Sequence, residues 1–230
     1  TDGPAYGMNG SYGGHLYTAE ALRVIRAHGA AAAAAPLFLF VAWQNNHPPL
    51  QVPDDYVARQ KTEELRTTIN GMTTFLDEAV GNISGALRAR GLYANTLIVY
   101  SPDNGGYLGR GGDDFPLRGG KFSDFQGGVR VAAWASGGLV PAALRGGAVA
   151  GYVSICDWYA TFLGLAGLDA AAIAADTPGV PAVDSLDVWP LLSGANATSP
   201  RVELPLSVLP AADHAALLAA RASGRAGAMA

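Results

Sequence analysis

Leu37-Phe38-Leu39-Phe40-Val41-Ala42-Trp43, followed by a proline-rich stretch ending at Pro53, decides how this chain is read. A short continuous apolar run rich in β-favouring residues, closed by prolines, predicts a buried strand. Working outward, Ile69, Met72, Phe75, Leu76, Val80, Ile83 and Leu87 recur at steps of three and four. That period predicts an amphipathic helix over about 60–90, with Gly91 as its stop. Asn95-Thr96-Leu97-Ile98-Val99-Tyr100 then predicts a second strand. Strand, helix and strand in that order form a βαβ unit, so the expected class is α/β with a parallel sheet.

Ligands of such sheets gather past the carboxyl ends of the strands. His47 follows the first strand and Asp103-Asn104 follow the second, so both are expected at one rim. Further out, residues 17–28 predict a short helix, Gly127–Trp134 a third strand and Tyr152–Leu168 a helix buried through Ile155, Tyr159, Phe162 and Leu165. Residues 169–182 read as a loop and Asp184–Leu192 as a turn with a short helix. The low-complexity run Ala30–Ala35 receives no function. The Ala-rich tail, set at 205–230, shows no packing pattern and is expected to fray.

Composition narrows the classes. Half of the 230 residues are hydrophobic, enough for a sizeable core. A formal charge of −4, without a Lys/Arg-dense stripe, argues against a nucleic-acid partner. No run of 18 strongly apolar residues is present, so no transmembrane segment is expected. One cysteine, Cys156, allows no intrachain disulfide, and it reads as a small buried residue. The first residues carry neither Met nor a leader pattern, and the chain is expected to begin inside a longer protein. Asn9, Asn82 and Asn196 each head an N-x-Ser/Thr triplet, a glycosylation signal of secretory-pathway proteins that also arises by chance.

Three stretches carry candidate chemistry. Asp103-Asn104-Gly105-Gly106 places a carboxylate and an amide oxygen, hard donors suited to calcium or magnesium, beside glycines that permit a sharp bend. By itself the same tetrapeptide is a turn former. Lys121 lies in a glycine-rich loop, where it serves as a point charge for a tetrahedral anion or simply stands in water. Histidine as a residue type can exchange a proton near neutral pH, so His47 fits proton transfer or a plain hydrogen bond to a carbonyl. Arg118 and Arg130 read as structural, as do Asp54-Asp55 and Asp113-Asp114, both taken as solvated acidic pairs. His15, His28 and His214 are placed on the surface.

Taken together, the motifs resemble a family. Pro36–Phe40 through His47-Pro48-Pro49-Leu50-Gln51-Val52-Pro53, then Met72–Asn82, are similar to a strand, loop and helix of type I sulfatases of the arylsulfatase B-like, N-acetylgalactosamine-4-sulfatase-like group. Ser101–Gly106, Pro116–Lys121, Gly127–Arg130, Asp157-Trp158, Asp184–Trp189 and Ser199–Leu204 continue the likeness in order, with Gln126 where that family usually has Glu. The resemblance implies the C-terminal portion, about residues 1–204, of a catalytic domain with the alkaline-phosphatase-like α/β fold, a mostly parallel sheet with helices on both faces, incomplete here. It implies a sulfuric ester hydrolase that uses calcium and a formylglycine made from Cys or Ser. Asp103 and Asn104 stand for half of the calcium shell, Lys121 for the sulfate-binding lysine and His47 for the histidine near the leaving oxygen.

No C/S-x-P-S/A-R nucleophile motif occurs in these residues, so formylglycine is expected upstream. The chain alone is therefore expected to be inactive and to hold calcium poorly. Two other readings stay open: a non-catalytic sulfatase-like module, or truncated gene product, binding a sulfated glycan or a partner, and a phosphoryl-transfer relative of the same superfamily.

Overall fold

The computed structural model describes residues 6–31, 35–62, 64–179 and 181–206. Most of the Ala-rich tail, His214 and the centre of the Ala30–Ala35 run lie outside them.

Two helices carry the core. Helix α1, Gly13–Ala31, packs against α3, Glu64–Ala89, and the short α2, Asp54–Ala58, also packs on α3. The three- and four-residue period of α3 acts as expected: Met72, Phe75, Leu76, Ala79 and Leu87 are buried, and Ala21 and Ile25 of α1 are buried as well. Tyr12 and Tyr56 meet Phe75 edge-on, with centroids 5.0 and 5.4 Å apart, the favoured geometry for aromatic rings. Gly91, at φ 69°, adopts the left-handed conformation that ends α3.

The sheet differs from expectation. Strands β1, Ile98–Tyr100, and β2, Trp134–Ser136, pair antiparallel in the register Ile98↔Ser136, Val99↔Ala135 and Tyr100↔Trp134. No other strand is assigned among the described residues. Residues 37–43 alternate between half-buried and exposed but belong to no strand among the described residues, and Phe38 and Phe40 are 71% and 80% exposed. Phe38 meets the Phe162 ring edge-on at 5.6 Å, but the expected burial and the parallel βαβ pairing are not found among the described residues. Gly127–Trp134 is not one strand. Gln126–Val129 forms the helical turn α4, since Gly127 and Gly128 lie against backbone at Gly119 and Gly120, and β2 begins only at Trp134.

Helix α5 covers Asp157–Leu165, shorter than expected. Ile155, Tyr159 and Leu165 are exposed, while Ala160 and Thr161 are buried. The buried face is thus the polar-anchored one. Asp157 is fully buried and accepts hydrogen bonds from the Ser154 and Leu186 N–H groups at 2.7 and 3.0 Å. Arg201 donates to it twice, at 2.8 and 2.6 Å. Thr161 passes on the connection, donating to the Asp157 carbonyl and accepting from the Val188 N–H. Within the expected loop, Asp169 caps a short helix α6, Ala170–Ala175, and Trp189–Leu192 forms α7. Cys156 is exposed rather than buried, because it stands at the start of α5 ahead of the inward-facing Asp157.

Candidate functional site

The site grows from two loops, each pinned to the helical core or to the other. The loop bearing His47 is held by its two asparagines: Asn45 donates to the Tyr12 hydroxyl at 3.0 Å and to the Met72 carbonyl at 2.9 Å, and Asn46 donates to Thr73 Oγ1 at 2.8 Å. His47 itself is exposed, with Nδ1 2.7 Å from the Pro48 carbonyl oxygen. A carbonyl only accepts, so Nδ1 carries the proton and Nε2 is the nitrogen left for chemistry.

The second loop pair joins the turn after β1 to the glycine-rich segment. The Gly105 N–H donates to the Gly128 carbonyl at 2.9 Å, and the Lys121 N–H donates to the Gly106 carbonyl at 2.9 Å. This approach is possible only because residue 105 has no side chain: a Cβ there would collide with the Gly127 carbonyl. Phe122, beside Lys121, holds φ at 76°, a left-handed conformation costly for a bulky residue. Arg118 stacks on the Phe125 ring at 3.9 Å and Arg130 donates to Gln126, so both act structurally.

His47, Asp103, Asn104 and Lys121 all line one groove of about 2610 Å³. The four residues singled out from the sequence thus share that groove, which extends along much of the chain. Asp103 is exposed and makes no hydrogen bond or ion pair with the described residues. Asn104 uses its amide NH2 on the Gly105 carbonyl, at 2.9 Å, leaving its oxygen free. Lys121 is half-buried, forms no ion pair among the described residues and lies 5.5 Å over the Phe122 ring.

The donor set suits a hard cation but does not complete one. Calcium takes six to eight oxygens. No group of three His, Cys, Asp or Glu side chains fit to hold a metal occurs among the described residues.

Asp114 is a neighbour of the 103–106 turn that sequence reading left in solvent. Asp113 does behave as an exposed residue, paired with Arg66 at 3.0 Å; the Phe115 N–H and then Arg66 hold its carboxyl below the usual range. Asp114 is different: its Oδ1 accepts from the Gly106 N–H at 2.9 Å, and its Oδ2 is buried without a partner. It ties the 103–106 turn to the segment leading into Lys121. Its place just before Phe115-Pro116-Leu117-Arg118 was the available signal.

The three glycosylation candidates are exposed. Asn9 lies ahead of α1 and Asn82 on α3, and Asn196 follows α7 with its Oδ1 accepting from the Thr198 N–H and hydroxyl at 3.1 Å. No helix among the described residues is long and apolar enough to cross a membrane.

Comparison with known proteins fits this geometry. Residues 4–168 match the family described as Sulfatase. Mouse arylsulfatase J is 35% identical over 203 residues, 85% of this chain and 31% of that protein. Mouse N-acetylgalactosamine-6-sulfatase is 32% identical over 77% of this chain and 32% of its own length. Human arylsulfatase A is 32% identical over 74% and 31%. The chain thus spans about a third of the curated relatives it matches. Among solved structures, Ps i-CgsB in complex with k-i-k-neocarrahexaose superposes with a TM-score of 0.69 at 32% identity, covering 78% of this chain and 38% of that one.

Proposed function

This chain belongs to the sulfatase family, with that family's alkaline-phosphatase-like α/β fold, and we propose that it carries one part of the pocket of a calcium-dependent sulfuric ester hydrolase acting on a sulfated carbohydrate. The carrying observation is the shared groove: Asp103 and Lys121, opposite charges, both line it and neither is committed to an ion pair within the described residues. Charges left unneutralised in a cleft are suited to ligands.

In this reading, Lys121 holds a sulfate oxygen as a point charge. Asp103 and the Asn104 oxygen hold calcium, which when bound supplies positive charge beside the developing negative charge of the ester. His47, with Nδ1–H held by the Pro48 carbonyl, presents Nε2 to the leaving oxygen. To protonate that oxygen it must arrive as the imidazolium. The remaining calcium donors and the formylglycine belong to sulfatase sequence outside these residues, so the chain alone turns over no aryl sulfate. The carbohydrate class is supported by the neocarrahexaose complex of the structural neighbour. A secretory-pathway location is supported by the exposed positions of Asn9, Asn82 and Asn196.

Peptide mass spectrometry of the protein from its native source tests the reading. A polypeptide that contains this chain and a formylglycine, and that hydrolyses an aryl sulfate with calcium, is the expected result. A native protein without formylglycine and without turnover overturns it in favour of a non-catalytic sulfatase-like module.

A further inference from the structure

We propose that Tyr107 and Phe122 form an aromatic platform beside Lys121, on which the pyranose ring of a sulfated sugar stacks while the Lys121 ammonium holds the sulfate. The inference rests on the reading of Lys121 as the anion-holding charge, and adds the place of the ring that bears or adjoins the sulfate.

Three observations converge on this spot. First, Phe122 is 82% exposed, and Tyr107, 40% exposed, meets it edge-on with centroids 5.4 Å apart. A single exposed aromatic is ordinary on a protein surface. Here two rings in contact flank one cation: the Lys121 ammonium stands 5.5 Å from the Phe122 centroid and forms no ion pair among the described residues. Second, Phe122 holds a positive φ of 76°, alone among the described residues other than glycine. That conformation is costly for a bulky side chain, and glycine is its usual tenant. The turn imposes it. The Ser123 N–H and hydroxyl donate to the Gly120 carbonyl at 3.1 and 2.8 Å, and the Gly120 N–H donates back to Ser123 Oγ at 3.2 Å. A phenylalanine kept where glycine fits better, with its ring out in solvent, adds nothing to the core. Backbone strain held in this way clusters at ligand sites. Third, Tyr107 and Lys121 both line the groove that also holds His47, Asp103 and Asn104.

The chemistry of the platform selects its occupant. The face of an aromatic ring is electron-rich. It attracts the weakly positive C–H groups that make up one face of a pyranose, and it repels a bare anion. Lys121 attracts the anion. A ligand that satisfies both carries a negative group fixed to a ring with an apolar face. A sulfated sugar meets the whole demand, whereas inorganic sulfate and a neutral sugar each meet half of it. The neocarrahexaose bound by the structural neighbour is a carbohydrate as well.

The test is hydroxyl-radical footprinting of the native polypeptide that contains this chain. The probes are a sulfated neocarrahexaose, its desulfated form and inorganic sulfate, with the exposed Tyr152, outside the groove, as internal control. The expected result is that Tyr107 and Phe122 are labelled in the free protein and that labelling of both drops several-fold with the sulfated saccharide alone. Phe122→Gly should leave the melting temperature level or higher, since it relieves the backbone. The same variant should raise the saccharide concentration for half-protection of Tyr107 about tenfold, equivalent to about 1.4 kcal/mol of lost contact. Four results overturn the proposal: rings that resist labelling before any sugar is added, because protein then covers them; labelling unchanged by the sulfated saccharide; equal protection by inorganic sulfate or by the desulfated sugar; or a Phe122→Gly variant that melts lower and binds the saccharide as before. Protection without sulfate-ester hydrolysis leaves the platform standing and counts against the hydrolytic reading. Aryl sulfate turnover by a protein whose Tyr107 and Phe122 ignore the saccharide does the reverse.

Discussion

Asp157 and Asp103 are both aspartates in family motifs, and their surroundings are opposite. Asp157 is fully buried, and its two oxygens take four hydrogen bonds from N–H groups, two of them from Arg201, and a long one from the Cys156 thiol. Asp103 is exposed and takes none from the described residues. The first region, α5 with the strands of chain around 184–188 and 201, is closed: its buried charge is matched inside the chain. The second, the turn at 103–106 with Lys121, is open: its backbone is fixed by Gly105 and Gly106, while its charges are left for something else. A motif residue whose bonds are all met by its own chain serves the fold, and one whose charge is unmet among the described residues is the one whose ligand role is worth testing.

Breaking the closed region should have the largest effect. Arg201→Ala leaves the Asp157 carboxylate buried with only two N–H partners, and loss of one member of a buried pair costs about 3–5 kcal/mol. For a chain of this size that is a fall in melting temperature of very roughly 6–20 °C, read by circular dichroism. Replacing both residues by apolar ones of similar volume should cost clearly less than Arg201→Ala alone. Next comes Gly105→Ala, whose methyl meets the Gly127 carbonyl. Overpacking of this kind costs about 1–3 kcal/mol, and the 105–128 hydrogen bond should lose its exchange protection.

The pH dependence sharpens the same contrast. Burial pushes the Asp157 carboxyl up, but Arg201 and the Leu186 and Ser154 N–H groups outweigh it, and the net is a value below the ordinary 3.8. A carboxyl lower in the folded than in the unfolded chain stabilises above the unfolded value, and that contribution is lost as pH falls through the folded one. Denaturant midpoints should therefore drop as pH goes below about 4, and Asp157→Asn should flatten this drop. Tyr56 moves the other way, pushed up to about 12 by burial and by its hydrogen bond to Glu78. It stays neutral over this range and adds nothing to the acid slope.

How much was legible follows from where each signal lives. The α3 stripe is local, and Met72, Phe75, Leu76 and Leu87 fall where their spacing puts them. The four residues of the groove were legible as motifs in order, because loops at strand ends keep their residue types close together in sequence. The run at 37–43 reads as a buried strand, yet no strand is assigned there and Phe38 and Phe40 are exposed, since pairing and burial depend on a neighbour that periodicity cannot supply. Cys156 and Ile155 misled for a related reason: hydrophobic residue types point inward on average, but here the buried anchor beside them is a carboxylate that found its arginine 44 positions away. Asp114 was missed because an Asp-Asp pair reads as solvated until a glycine N–H is seen to reach one of its members.

The smallest effect is the most telling. Asp103→Asn removes a charge that no described residue matches, so stability should change by no more than about 0.5 kcal/mol, as for surface substitutions in general. A destabilisation of several kcal/mol would mean that the carboxylate has a partner inside the fold and would move it to the same class as Asp157. If stability holds and the proposed function is right, the same variant in a formylglycine-bearing protein that contains this chain should lose most of its calcium-dependent turnover and need more calcium for half-maximal rate, because a neutral amide replaces a carboxylate in a shell that depends on charge. Stability unchanged and calcium demand raised, together in one variant, is what a charge reserved for a ligand predicts and what a structural carboxylate does not.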